Sequence, residues 1–124
     1  MAVNILLADD HRMVREGLKQ LLETDSEINV VAEAGDGYEC LNLTNKTKPD
    51  IVLLDINMPN MDGIETFRQL HEDPSFKTPV ISLTADAVVG AKDKFINAGF
   101  NGYVSKPIDK KMLDDAINKA LKDR

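Results

Sequence analysis

The chain has 124 residues, 43% of them apolar, enough for one core and one domain. Its 21 acidic against 15 basic residues give a net charge of −6, which argues against direct nucleic-acid binding, since that needs clustered positive charge. A single cysteine, Cys40, excludes an internal disulfide and suits a reducing compartment, and no apolar run approaches a membrane span. The first apolar run, residues 3–8, is too short for a signal-peptide core and ends in two acids, so a soluble, cytoplasmic domain is expected. Two glycosylation patterns, at Asn42 and Asn45, read as chance without an export signal.

Taken in order, the chain alternates short apolar runs with amphipathic stretches. Ile5, Leu6, Leu7 and Ala8 read as a buried strand, cut off by Asp9 and Asp10. A helix follows, with Val14, Leu18, Leu21 and Leu22 on one face. Residues 29–34 form a second strand, ended by Gly35, Asp36 and Gly37, and residues 38–46 a second helix carrying Cys40, Leu41 and Leu43. Ile51, Val52, Leu53 and Leu54 are apolar without interruption and predict a strand buried on both faces. That run stops at Asp55, and Pro59 cannot continue a ladder. Met61, Asp62 and Gly63 open a helix carrying Ile64, Phe67 and Leu70, which Asp73 and Pro74 end. Residues 79–83 are a fourth strand with Thr84 as its last residue. Residues 88–98 read as a helix with Ala91, Phe95 and Ala98 inward and Gly99 as its stop. Residues 102–105 are a short fifth strand closed by Lys106 and Pro107. The last helix carries Met112, Leu113, Ala116, Ile117, Ala120 and Leu121 in one stripe.

Five repeats of strand then helix predict an α/β fold: a five-stranded parallel sheet, doubly wound with five helices, most simply in the order 2-1-3-4-5. Such sheets bind ligands beyond the carboxyl ends of their strands. The first strand ends in Asp9 and Asp10, the third in Asp55, the fourth in Thr84 and the fifth in Lys106, so these residues converge on one rim. An Asp that ends a strand is by itself as readily a turn residue. Three carboxylates in one crevice, however, repel one another and need a proton or a cation to coexist. Oxygen donors with room for water suit Mg²⁺. With the ammonium of Lys106 and the hydroxyl of Thr84, these are the parts that phosphoryl transfer to a carboxylate nucleophile requires.

Over essentially its full length, residues 1–124, the chain resembles the receiver domain of bacterial two-component response regulators, whose fold is flavodoxin-like. The resemblance is carried in order by Ala8-Asp-Asp-His11, Leu54-Asp-Ile-Asn-Met-Pro59 with Met61-Asp-Gly63, Leu83-Thr-Ala-Asp86 and Tyr103-Val-Ser-Lys-Pro107. It implies that Asp55 accepts a phosphoryl group from a sensor histidine kinase or a histidine phosphotransfer protein. It implies Mg²⁺, or Mn²⁺ in its place, held by Asp10, Asp55 and the backbone carbonyl of Asn57, with Asp9 helping through water. Lys106, Thr84 and the backbone of Ala85 would stabilise the phosphoryl group. Thr84 and Tyr103 would form the switch, read by a downstream target on the face of helix 4, strand 5 and helix 5. The resemblance also matches Lys106–Pro107 to the family's cis peptide. From their positions two residues past Asp55 and Thr84, Asn57 and Asp86 should flank the approaching water and influence the phosphoryl lifetime.

Plainer readings stand beside these. His11 reads as the surface start of the first helix rather than a ligand, His71 as a solvated side chain and Cys40 as core packing. Tyr103 also suits an aromatic packed near the last helix. Gly35, Asp36 and Gly37 imitate the opening of a dinucleotide loop but lack its third glycine and follow the second strand. The rival function is a phosphatase of the haloacid dehalogenase type, with an Asp nucleophile, a Lys and Mg²⁺. Such enzymes place a second Asp two residues after the nucleophile as general acid; here that position is Asn57, whose amide gives up no proton, and the acidic pair comes first. A non-switching interaction module would lack one of Asp55, Asp10 or Lys106. The opening resembles regulators with a DNA-binding effector, the stretch from residue 78 to 108 receivers of hybrid kinases, and both settings stay open.

Overall fold

Alternate residues of a strand point to opposite sides of a sheet, and in this protein both sides are covered. The computed structural model describes residues 2–84, 98–106 and 108–123. Its elements run β1 (Val3–Ala8), α1 (Arg12–Leu22), β2 (Ile28–Ala34), α2 (Gly37–Thr47), β3 (Ile51–Asp55), α3 (Gly63–Leu70), β4 (Val80–Thr84), β5 (Gly102–Ser105) and α4 (Lys110–Asp123). The predicted helix at 88–98 lies outside the described residues except for its last position, as do Ala85, Asp86 and Pro107, so α4 is the fifth helix of the sequence reading.

The sheet is parallel with strand order β2-β1-β3-β4-β5, as the alternation predicts. Ile5, Leu7, Ile51, Leu53, Ile81, Leu83 and Val104 meet α1 and α4 on one side through Leu18, Leu22, Leu113 and Ile117. Leu6, Ala8, Val52, Leu54 and Val80 meet Cys40, Phe67 and Leu70 on the other. The unbroken apolar run of β3 follows from this double coverage, because a strand buried on both faces has no solvent side to make polar.

Several boundaries and exposures differ from the sequence reading. β2 starts at Ile28, which pairs with Val3 and is buried. Between Ile5 and Leu6 the β1–β2 register skips Val31, and this extra residue is left 39% exposed although it is apolar. Ile64 and Met112, read as members of apolar stripes, are exposed, while Phe67, Leu70 and Leu113 carry the burial. α2 starts one residue earlier than predicted because Asp36 caps it, accepting from the Glu39 N–H at 2.9 Å, while Glu39 accepts from the Gly35 N–H; it ends one residue later, where the Lys48 N–H donates to Thr44 O at 3.0 Å. Asp62 caps α3 in the same way through the Glu65 N–H at 2.8 Å.

Candidate functional site at the carboxyl rim

The side-chain alternation that fills the core also aims the rim. Asp9 continues the face of Ile5 and Leu7, Asp55 that of Ile51 and Leu53, and Lys106 that of Val104. Three residues far apart in sequence therefore leave their strands on one side of the sheet. Their backbones are tied down: the Asp9 N–H donates to Ala34 O at 3.0 Å, Ile56 N–H to Leu83 O at 3.0 Å, and Lys106 N–H to Thr84 O at 2.8 Å. Gly63 holds the loop after β3 against the site. A Cβ there would run into Asp55 O and lie 2.6 Å from Ile56 Cα, so only glycine lets α3 start this close to the strand end.

Lys106 Nζ lies 3.0 Å from Asp9 Oδ2 and 3.5 Å from Asp55 Oδ2. Asp9 and Asp55 are both buried, and Lys106 is half-buried. Asp9 Oδ1 accepts from the His11 N–H at 2.9 Å, and Asp55 Oδ1 from the Asn57 N–H at 3.1 Å. Asp10 is half-buried, and its Oδ1 is a buried oxygen with no hydrogen-bond partner. Burial pushes the Asp55 carboxyl above the ordinary carboxylate range; the Asn57 N–H opposes this, the charge of Asp9 adds to it, and Lys106 pulls back. For Lys106 burial favours the neutral amine, but its hydrogen bond to Asp9 and the charges of Asp55 and Asp9 outweigh burial, and its pKa is raised.

Asp9, Asp10, His11 and Asp55 each offer a donor atom, and these atoms lie within 4.8 Å of one another. Three carboxylates against one ammonium leave the crevice electronegative, and Asp10 Oδ1 accepts no hydrogen bond. Hard oxygen donors in that arrangement fit a divalent cation.

Thr84 is buried at the end of β4, on the sheet face opposite Leu83. Tyr103, half-buried, packs against the core on that side, and its strand partner is Ser82, two residues before Thr84. The structure thus groups Asp9, Asp10, His11, Asp55 and Lys106 at the rim, and sets Thr84 and Tyr103 on the neighbouring strands β4 and β5. Asn57 is exposed just past Asp55, while Ala85, Asp86 and the Lys106–Pro107 peptide lie outside the described residues. Asp36 belongs elsewhere: besides capping α2, it accepts from Asn60 Nδ2 at 3.3 Å.

The contacts of three residues are missing from the sequence reading. Arg15 donates from Nη1 to Asp9 O at 2.6 Å and pairs with Glu33 at 3.3 Å, holding the first strand end from α1. His11 starts α1 at an exposed position, as predicted, yet its Nδ1 lies 3.0 Å from Asp10 Oδ1. His71 is exposed but not only solvated: its ring lies 4.3 Å from that of Phe67 and meets Phe76 edge-on at 5.1 Å. Cys40 is core packing as read, with burial pushing its thiol up to about 12.

Residues 5–118 match the response regulator receiver domain family. The chain belongs to that family. The nitrate/nitrite response regulator protein NarP of Escherichia coli (strain K12) is 39% identical to this receiver over 120 residues, covering 95% of the chain and 54% of NarP. The receiver spans about half the length of the curated relatives it matches. A LuxR-family two-component response regulator from Aurantimonas sp. SI85-9A1 is similar with a TM-score of 0.88 at 36% identity, over 100% of this chain and 88% of that one. A LuxR-family DNA-binding response regulator from Staphylococcus aureus gives 0.84 at 26% identity, over 96% and 98%. Membership places the receiver among signalling proteins rather than among phosphatases of the haloacid dehalogenase type. No helix among the described residues is long and apolar enough to cross a membrane.

Proposed function

We propose that residues 1–124 form one receiver domain that acts as a phosphorylation-dependent switch, with Asp55 as phosphoacceptor. The observation that carries this is the placement of Asp55: a buried carboxylate at the end of the central strand, 3.5 Å from Lys106 Nζ and beside two further acids. The donor is the phosphohistidine of a sensor histidine kinase or a histidine phosphotransfer protein. An Asp55 carboxylate oxygen forms a bond to phosphorus as the phosphorus–nitrogen bond of the donor breaks. The electron pair leaves with the imidazole, which takes up a proton. Hydrolysis reverses the modification when water attacks phosphorus, releasing inorganic phosphate and restoring the carboxylate. The receiver therefore catalyses only its own phosphorylation and dephosphorylation.

Asp10, Asp55 and the Asn57 carbonyl, with Asp9 through water, would hold Mg²⁺ or Mn²⁺, which would supply charge neutralisation among the phosphoryl and carboxylate oxygens. Lys106 leans from Asp9 and Asp55 onto the incoming phosphoryl oxygens, and the Thr84 hydroxyl and Ala85 N–H donate to them once attached. Asn57 and Asp86 flank the approach of water and set the lifetime. Drawing Thr84 inward frees space that Tyr103 fills, which shifts the population of the face made by the segment at 88–98, β5 and α4 toward the form its target reads. The LuxR-type relatives support a DNA-binding effector as the output, in a cytoplasmic regulator of which this domain itself touches neither DNA nor membrane.

The test is intact mass after incubation with acetyl phosphate. The parent gains one phosphate with Mg²⁺ and not with a chelator, and Asp55→Asn gains none. Equal labelling of the variant contradicts the assignment.

A further inference from the structure

The oxygen donors at the rim have a nitrogen neighbour. His11 occupies the cap position of α1 with extended backbone (φ −98, ψ 111), yet its side chain makes no capping hydrogen bond. Its main chain is fixed on both sides: the N–H donates to Asp9 Oδ1 at 2.9 Å, and the carbonyl accepts from the Arg15 N–H at 3.0 Å. Only the ring is left to turn, and it turns its Nδ1 toward the acids, 3.0 Å from Asp10 Oδ1 and 3.5 Å from Asp9 Oδ1. At that distance the ring still does not hydrogen-bond Asp10 Oδ1, which stays a buried acceptor without a donor. Two donor-set atoms 3.0 Å apart with no hydrogen bond between them fit two ligands on one ion. In an octahedral shell with bonds of about 2.1 Å, neighbouring ligands sit about 3.0 Å apart.

From this geometry we infer that His11, through Nδ1, is a further ligand of the rim cation, turning an all-oxygen site into a mixed oxygen and nitrogen one. The inference rests on the cation site proposed above. Its consequence is selectivity. Mg²⁺ gains little from an imidazole, whereas affinity of a nitrogen-bearing site rises through Mn²⁺ and Co²⁺ to Ni²⁺. The ring is 67% exposed, so it closes one side of the ion while leaving water on the others. The alternative role for the same contact is an imidazolium paired with Asp9 and Asp10. In that case a metal ion competes with the ring, and removing His11 helps every divalent ion.

Calorimetric titration of the full chain with MgCl₂ and NiCl₂, beside the visible spectrum of bound Co²⁺, separates these outcomes in the parent, His11→Ala and Asp10→Ala. The cap is not at stake in His11→Ala, because the side chain does not cap. The expected result is that His11→Ala lowers the ratio of Ni²⁺ to Mg²⁺ affinity about tenfold and moves the Co²⁺ ligand-field band to longer wavelength, while Asp10→Ala weakens both ions. An unchanged ratio and Co²⁺ band in His11→Ala, with Mg²⁺ still bound, overturn the ligand role and leave the cation site standing. A rise in both affinities also overturns it, in favour of the imidazolium pair. Ni²⁺ affinity that depends on His11 but not on Asp10 puts that ion elsewhere and overturns it too. A parent that binds no divalent ion overturns the cation site itself.

Discussion

Leu53 and Asp55 stand two residues apart on β3, side by side on one face of the sheet, and neither is more than 1% exposed. Their burial has opposite consequences. Leu53 sits among Ile5, Ile51, Ile81 and Leu83, where removal from water and close packing both favour the fold. Asp55 is buried among Asp9, Asp10 and Lys106, where its own pKa moves against ionisation. The interior of the strands therefore stabilises the protein, and their carboxyl ends use part of that stability to keep reactive groups in place. A strained charge cluster on a rigid sheet is what a site answering to a phosphoryl group or a cation needs.

The largest break in this contrast comes from the interior. Leu53→Ala should cost about 3 kcal/mol, since the surrounding strands cannot collapse onto the cavity; the urea midpoint should fall with the slope unchanged. On the rim, Lys106→Met removes the cation that faces Asp9 and Asp55 and should cost about 2 kcal/mol at neutral pH, less than breaking a fully buried pair because Lys106 is only partly enclosed. The raised pKa of Lys106 sets the sign of its pH dependence. Its contribution is complete below the ordinary lysine value and is lost as pH rises through the higher folded-state value, so parent and variant should converge only in strong alkali. Urea midpoints of the pair at neutral and alkaline pH check this.

Asp55→Asn should act in the other direction and stabilise the protein, in a chelator at neutral pH, by about 1 kcal/mol. Because burial raises the Asp55 pKa, the folded state holds that proton more tightly than the unfolded chain does. The ionised carboxylate thus opposes folding above the folded-state value, and the penalty is relieved as pH falls through that value into the ordinary carboxylate range. The advantage of the variant should shrink over the same window in thermal melts. A variant no more stable than the parent at neutral pH contradicts the strain assigned to the rim. The smallest effect belongs to neither region: Asp62→Ala removes the cap of α3 and should cost about 0.5–1 kcal/mol while the one-phosphate mass gain persists.

Much of the fold is legible in the sequence because its signals are local. An apolar run of strand length, a proline that cannot continue a ladder, and a glycine that stops a helix each act over a few residues. The strand order followed from alternation and from the handedness of parallel crossovers. The identity of the rim residues was legible for the same reason, since each ends a strand whatever its neighbours are. Their pairing was not. Lys106 lies 97 residues from Asp9 and 51 from Asp55, and that it lies nearer to Asp9 depends on the relative seating of β1, β3 and β5. The bulge that exposes Val31 and the reach of Arg15 to Asp9 O and to Glu33 are likewise contacts between elements, to which no local pattern points. The sequence by itself determined which chemical groups stand at the end of each strand. Only the tertiary structure decided which of them touch, because contact across a sheet is set by register and packing, and these are properties of several segments at once.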